Sequence, residues 1–186
     1  MGDRLFELQP FISSTGLTVP NPKPIPQLKI TTNLKRTKQY LTLSYQVQGE
    51  LSQIILPSVN NQPERKDELW QTTCFEFFLA IFNVPEYWEF NLAPTGDWNI
   101  YRFEKYRRGM REETRINELP FKTVATANSY QLTVTLPLEL IVSGTTPLEI
   151  AVSTVIEDKE KNLSYWAIMH PGAEADFHRR DSFVSI

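Results

Sequence analysis

Two glutamates sit in stretches of the chain that otherwise read as apolar strands. In LWQTTCFEFFLAIF, residues 69–82, Phe75, Phe77, Leu79 and Ile81 share one side of an alternating pattern, and Glu76 falls on the other with Cys74, Phe78 and Ala80. In YWEFNLAPTGDWNIYRF, residues 87–103, Trp88, Phe90 and Leu92 share a side, and Tyr87, Glu89 and Asn91 oppose them. Successive side chains of a strand point to opposite faces, so both glutamates belong to the non-core face. Carboxylates beside aromatic rings allow two chemistries. They can exchange hydrogen bonds with the hydroxyls of a sugar whose C–H face packs on an indole. Alternatively, a pair about 5–9.5 Å apart can serve as the two carboxyl groups of glycoside hydrolysis.

The second of these strands should return through PTGD, residues 94–97. A hairpin symmetric about Thr95 and Gly96 sets Ala93 opposite Trp98, Asn91 opposite Ile100 and Glu89 opposite Arg102. Arg102 then pairs with Glu89 and holds it ionised, which disfavours hydrolysis by Glu76 and Glu89. Trp98 lies next to Asn91 as a flat platform for a ligand. A slip of one residue would carry Trp98 and Arg102 to the core face. On the symmetric register, the ligand face comprises Glu76, Tyr87, Glu89, Asn91, Trp98 and Arg102.

Both histidines lie in HPGAEADFH, residues 170–178, with Glu174 and Asp176. Pro171 followed by Gly172 suits a tight turn. The proline also denies a helix through His170, so the two histidines are not helical zinc ligands. With no third histidine and a distant Cys74, zinc would need carboxylate ligands. The stretch reads as a turn and loop in which Asp176, His178, Arg179 and Arg180 form a local network. The run RFEKYRRGMREETRINE, residues 102–118, holds six basic and four acidic residues. Mixed signs favour a solvated loop or short helix; the alternative is a rim of Arg107, Arg108 and Arg111 over an anionic group.

The elements that position these residues follow from period-two alternation. It recurs in LKITTNL (28–34), YLTLSYQV (40–47), YQLTVTL (130–136) and LEIAVSTVI (148–156), with weaker candidates near 5–12, 53–56, 121–127 and 182–186. About ten strands result, EDKEKN (157–162) closes a second hairpin, and long amphipathic helices are missing. The pattern predicts an antiparallel sandwich or barrel in one domain, residues 1–186. Residues 1–27 supply an N-terminal strand and a strap through VPNPKPIP (19–26), which prolines keep extended.

A net charge of −3 and a pI near 5.5 argue against a non-specific nucleic-acid binder. A single cysteine excludes an internal disulfide framework. No run reaches the roughly 18 apolar residues of a membrane span, and MGDRLFELQPF lacks the apolar core of a secretory signal. The cytoplasm is the expected compartment.

The blocks ELWQTTCFEFFL, YWEFNLAPTGDWNIYRF and HPGAEADFHRRDSF resemble the bacterial DOMON-like proteins related to family-nine carbohydrate-binding modules, over roughly residues 28–186. LTVTLPLELI (132–141) is also similar to that family's strand and following turn. The resemblance implies an all-β, antiparallel immunoglobulin-like or jelly-roll β-sandwich that binds a small molecule, above all a saccharide, without catalysis. It carries over Trp70, Glu76, Glu89, Asn91, Trp98, Tyr101 and Arg102 as ligand contacts, and sets Asp176 and His178 near the rim. Secreted sugar-binding modules carry a signal peptide or a catalytic partner, and this sequence shows neither, so a cytoplasmic sensor or carrier fits as well. Relatives in the wider superfamily also bind haem, for which His170 or His178 with Met110 or Met169 are axial candidates. Structural calcium and a protein-interaction scaffold are the further alternatives.

Overall fold

The computed structural model describes residues 3–12 and 26–186. The expected strap falls on residues 19–26, all but the last of which lie outside the described ones. Within them the chain forms β1 (Arg4–Pro10), β2 (Leu28–Arg36), β3 (Tyr40–Gly49), β4 (Cys74–Ile81), β5 (Tyr87–Leu92), β6 (Trp98–Phe103), β7 (Arg111–Glu112), β8 (Phe121–Ala125), β9 (Ser129–Pro137), β10 (Leu148–Glu157), β11 (Leu163–Ala167) and β12 (Val184–Ser185). The helical segments among these residues are three-residue 3₁₀ turns. Among the described residues, no helix is long and apolar enough to cross a membrane.

All strand pairs are antiparallel, and neighbours run β7-β6-β5-β4-β10-β11-β1-β2-β3-β9-β8, with β12 added to one end of β10. Strand β1 is the hinge between two halves. Arg4 to Leu8 pair with β2, whereas Gln9 and Pro10 pair with β11. The halves therefore face each other across one core. Leu43, Tyr45, Leu132 and Val134 from one half pack with Phe75, Phe77, Phe90 and Ile150 from the other. The Tyr45 hydroxyl crosses the interior to donate to the Glu76 carbonyl at 2.7 Å, and the rings of Phe75 and Tyr130 stack at 5.5 Å between centroids.

The alternation expected from the sequence sorts the faces of β3 and β9. Thr42 bonds Thr135 at 3.1 Å and Ser44 bonds Thr133 at 3.0 Å on the outer face. Strands β4 and β5 behave differently: every residue from Cys74 to Ala80 and from Tyr87 to Leu92 is buried. One face packs into the main core. The other is covered by loops over a second apolar cluster of Phe78, Ala80, Tyr87, Tyr101, Phe103, Ala151 and Phe183. Residues 53–56 do not form a strand: Leu51–Gln53 is a 3₁₀ turn and Ile54 makes a single bridge to Asp158. The short strand β7 is an addition to the expected set, and β11 is the return strand of the hairpin expected at EDKEKN.

Candidate ligand-binding site

The β5–β6 connection decides which side chains share the glutamates' face. PTGD is not a two-residue loop. The Ala93 N–H donates to the Asp97 carbonyl at 2.9 Å, the Gly96 N–H donates to the Ala93 carbonyl at 2.9 Å, and Gly96 has φ of +92°. This is a three-residue loop whose last position takes the left-handed conformation that glycine tolerates. The register becomes Leu92 to Trp98, Asn91 to Asn99, Glu89 to Tyr101 and Trp88 to Arg102. It differs by one residue from the symmetric expectation, and every β6 side chain changes face.

Two expected site residues consequently leave the site. Trp98 is buried in the main core at 6% exposure, with the Arg65 guanidinium 4.3 Å above its ring. Arg102 pairs with Glu86 at 2.7 Å and lies over the Trp88 ring at 5.5 Å, so the expected Glu89–Arg102 ion pair does not form. A nearby acceptor and an indole face relieve the guanidinium on that side of the sheet. Tyr101 takes the place opposite Glu89 instead.

The glutamates' face forms the floor of a cavity of about 550 Å³. Glu76 and Phe78 come from β4, Glu89 from β5, Phe103 from β6, Val155 from β10 and Tyr165 from β11. Glu76 stands opposite Asn91 and Phe78 opposite Glu89, so the two glutamates are diagonal neighbours across one strand pair. Three loops complete the walls: Trp70 and Gln71 on one side, Arg107 and Met110 from the β6–β7 connection, and Ala175, Phe177 and His178 from the segment before β12.

Each wall is anchored by polar contacts. The Tyr101 hydroxyl donates to Asp67 at 2.6 Å and its ring meets Trp70 edge-on at 5.7 Å, so Tyr101 positions the indole. Asp176 receives Arg107 Nη2 at 2.8 Å and the Tyr106 hydroxyl at 2.5 Å, which ties the second loop to the third. The Tyr87 hydroxyl accepts the Arg107 backbone N–H at 3.1 Å and meets His178 Nδ1 at 2.9 Å. Both Arg107, at φ of +50°, and Glu68, at φ of +60° just before Trp70, are left-handed without being glycine. Such backbone persists where the surroundings over-determine it.

The carboxyls are the least settled groups in the cavity. Glu89 Oε1 accepts from Asn91 Nδ2 at 3.0 Å, and its Oε2 lies 3.8 Å from His178 Nε2. Glu76 Oε2 receives a 3.4 Å contact from Ser153 Oγ, the Cys74 thiol lies beside the carboxyl, and Oε1 has no partner in hydrogen-bond geometry. Burial first, and then the charge of Glu89, pushes the Glu76 carboxyl well above the usual range. Burial raises Glu89 to about 7, against the opposing pull of Asn91 and Arg107. His178 is lowered to about 4 by burial and by Arg107, so it is neutral at physiological pH.

The expected residues thus divide. Glu76, Glu89, His178 and Trp70 line the cavity, and Asn91, Tyr101 and Asp176 orient groups that do. Phe78, Phe103, Arg107, Tyr165 and Phe177 line it too. Phe78 was legible as a non-core residue of β4, and Arg107 as part of the charge run. The HPGAEADFH stretch is loop, as expected, but its histidines separate: His170 Nε2 sits on the Gln9 carbonyl at 2.8 Å, away from the cavity. His178 instead faces the cavity, with Nδ1 bonded to the Tyr87 hydroxyl at 2.9 Å. Among the described residues, no three His, Cys, Asp or Glu side chains gather as metal ligands.

No family model matches the chain, and no curated protein does either. Its fold is shared with solved structures. It is similar to a proposed carbohydrate-binding protein from Bacteroides uniformis ATCC 8492, at 14% identity over 98% of this chain and 84% of the other, with a TM-score of 0.67. It is also similar to a family-nine carbohydrate-binding module from Caldicellulosiruptor kristjanssonii solved with glucose, at 14% identity over 88% of this chain and 78% of the other, with a TM-score of 0.51. The shared property is the all-β antiparallel fold.

Proposed function

We propose that the chain is a DOMON-like sandwich of immunoglobulin or jelly-roll type that binds a small saccharide in the Glu76–Glu89 cavity. One observation carries this reading: aromatic rings wall a cavity whose floor presents two buried carboxyls. Ligand sites combine apolar walls with a few convergent polar groups in this way, and a sugar needs both an aromatic face and hydroxyl partners. The fold shared with a module solved with glucose supports the same ligand class.

A thermal-shift screen against neutral, amino and phosphorylated sugars tests it, with Trp70→Ala alongside. Ligand at 100 times its Kd stabilises by ~2.7 kcal/mol, or very roughly 5–10 °C for a domain of this size. The shift should vanish in Trp70→Ala. No shift with any sugar would overturn the reading.

The raised carboxyls favour glycoside hydrolysis as a second reading. The expected obstacle was an Arg102 partner that would hold Glu89 ionised, and that partner is absent. A carboxyl that keeps its proton near neutral pH is what a general acid requires. Turnover of 4-nitrophenyl glycosides that Glu76→Gln abolishes would establish it, and no turnover with any of them would exclude it for that substrate class.

A further inference from the structure

The chain's buried acids fall into two groups. Asp97, Glu113 and Glu157 each have a basic partner, namely Lys66 at 3.0 Å, Arg115 at 2.6 Å and Lys161 at 3.1 Å. Glu76 and Glu89, at 2% and 5% exposure, are the two buried acids among the described residues without a lysine or arginine in salt-bridge range. Arg107 is the one such cation lining their cavity, and its guanidinium is bonded to Asp176. Burying a carboxylate without a partner is costly, so proteins pair such charges or keep them protonated. The orphaned Oε1 of Glu76 is a second sign, since nearly all buried polar atoms find a partner.

We infer that the cavity is built for a ligand bearing an ammonium group, held by the carboxyl groups of Glu76 and Glu89. On the saccharide reading above, the ligand class is an amino sugar. An ammonium brings three donors and no acceptor, which suits two carboxylates, and the one lining arginine, Arg107, is already neutralised by Asp176. The aromatic walls add to this, because the faces of indole and phenyl rings attract cations. A neutral sugar would leave two like charges side by side, and one carboxyl would have to keep its proton.

Isothermal titration at pH 6.5 with glucose, N-acetylglucosamine, glucosamine and 6-amino-6-deoxyglucose tests the inference, each in two buffers of different ionisation enthalpy. At least one amine-bearing sugar should bind tenfold or more tightly than both neutral ones. Its binding should release protons from the carboxyls. The other titratable groups around the pair do not contribute at that pH: His178 is already neutral, burial holds Tyr87 at about 12 and Cys74 and Tyr101 above their usual values, and Arg107 and Asp176 stay charged. Glu76→Gln should remove the preference and the proton release. Equal affinity for glucose and the amine-bearing sugars would overturn the inference and leave the saccharide reading standing. Binding of none of the four would overturn both.

Discussion

At the scale of single residues, Glu89 and His178 make opposite contributions to stability against pH. Glu89 is raised from 4.5 to about 7, so the folded state holds its proton more tightly. Its stabilisation is complete below pH 4.5 and is lost as pH rises through 7. His178 is lowered from 6.5 to about 4, so its neutral form is favoured by folding, and stability is lost as pH falls through that interval. Above pH 6.5 only the carboxyls act. Between pH 6.5 and 8 the protein should lose on the order of 1 kcal/mol through Glu89, and Glu89→Gln should flatten the change. Urea unfolding midpoints at the two pH values measure it; equal wild-type midpoints would contradict the assignment. A second carboxyl behaves oppositely. Glu113 accepts the Trp88 indole N–H at 2.9 Å and is lowered to about 2, chiefly by Arg115. Its contribution is present above pH 4.5 and lost as pH falls towards 2, so Glu113→Gln should blunt acid unfolding.

The β5–β6 hairpin shows at the scale of elements what the sequence could and could not reveal. Alternation alone sorted Phe75, Phe77, Trp88 and Phe90 from Glu76, Glu89 and Asn91, because successive side chains of a strand point to opposite faces. The same alternation cannot fix loop length. TrpAsn-Ile-Tyr-Arg-Phe carries aromatic residues at Trp98, Tyr101 and Phe103, on both faces of β6, so either register buries some of them. The deciding fact is the positive φ of Gly96, where a Cβ would come within 2.8 Å of Pro63 Cγ. Gly96→Ala should therefore cost roughly 1–3 kcal/mol through strain at this φ. Trp98→Ala should cost roughly 3–5 kcal/mol as a core truncation while leaving saccharide affinity within twofold at a temperature where the variant is folded. Chemical denaturation and titration together check this. Loss of affinity from a variant of unchanged stability would restore Trp98 to the ligand face.

For the whole molecule, the cavity exists because distant parts of the chain converge on one face of the sheet. Trp70 precedes β4, Arg107 follows β6, and Phe177 and His178 come from near the end. Their residue types were legible in the sequence, but their meeting was not, since it depends on pairing β10 with β4 and on the Asp176 contacts to Tyr106 and Arg107. Asp176→Ala should release that tie, speed amide exchange around Phe177 and His178, and weaken ligand binding several-fold without changing exchange in β4. The most direct test of the site uses the four indole N–H groups in ¹H–¹⁵N spectra titrated with glucose and glucosamine. Trp70 is in the cavity wall; the Trp88 and Trp166 indoles are bonded to Glu113 and Ser164, and Trp98 lies under Arg65 on the core face. The account predicts that the Trp70 resonance moves with ligand while Trp88 and Trp98 stay. Movement of Trp98 with Trp70 unchanged, or no movement with either sugar, would contradict it.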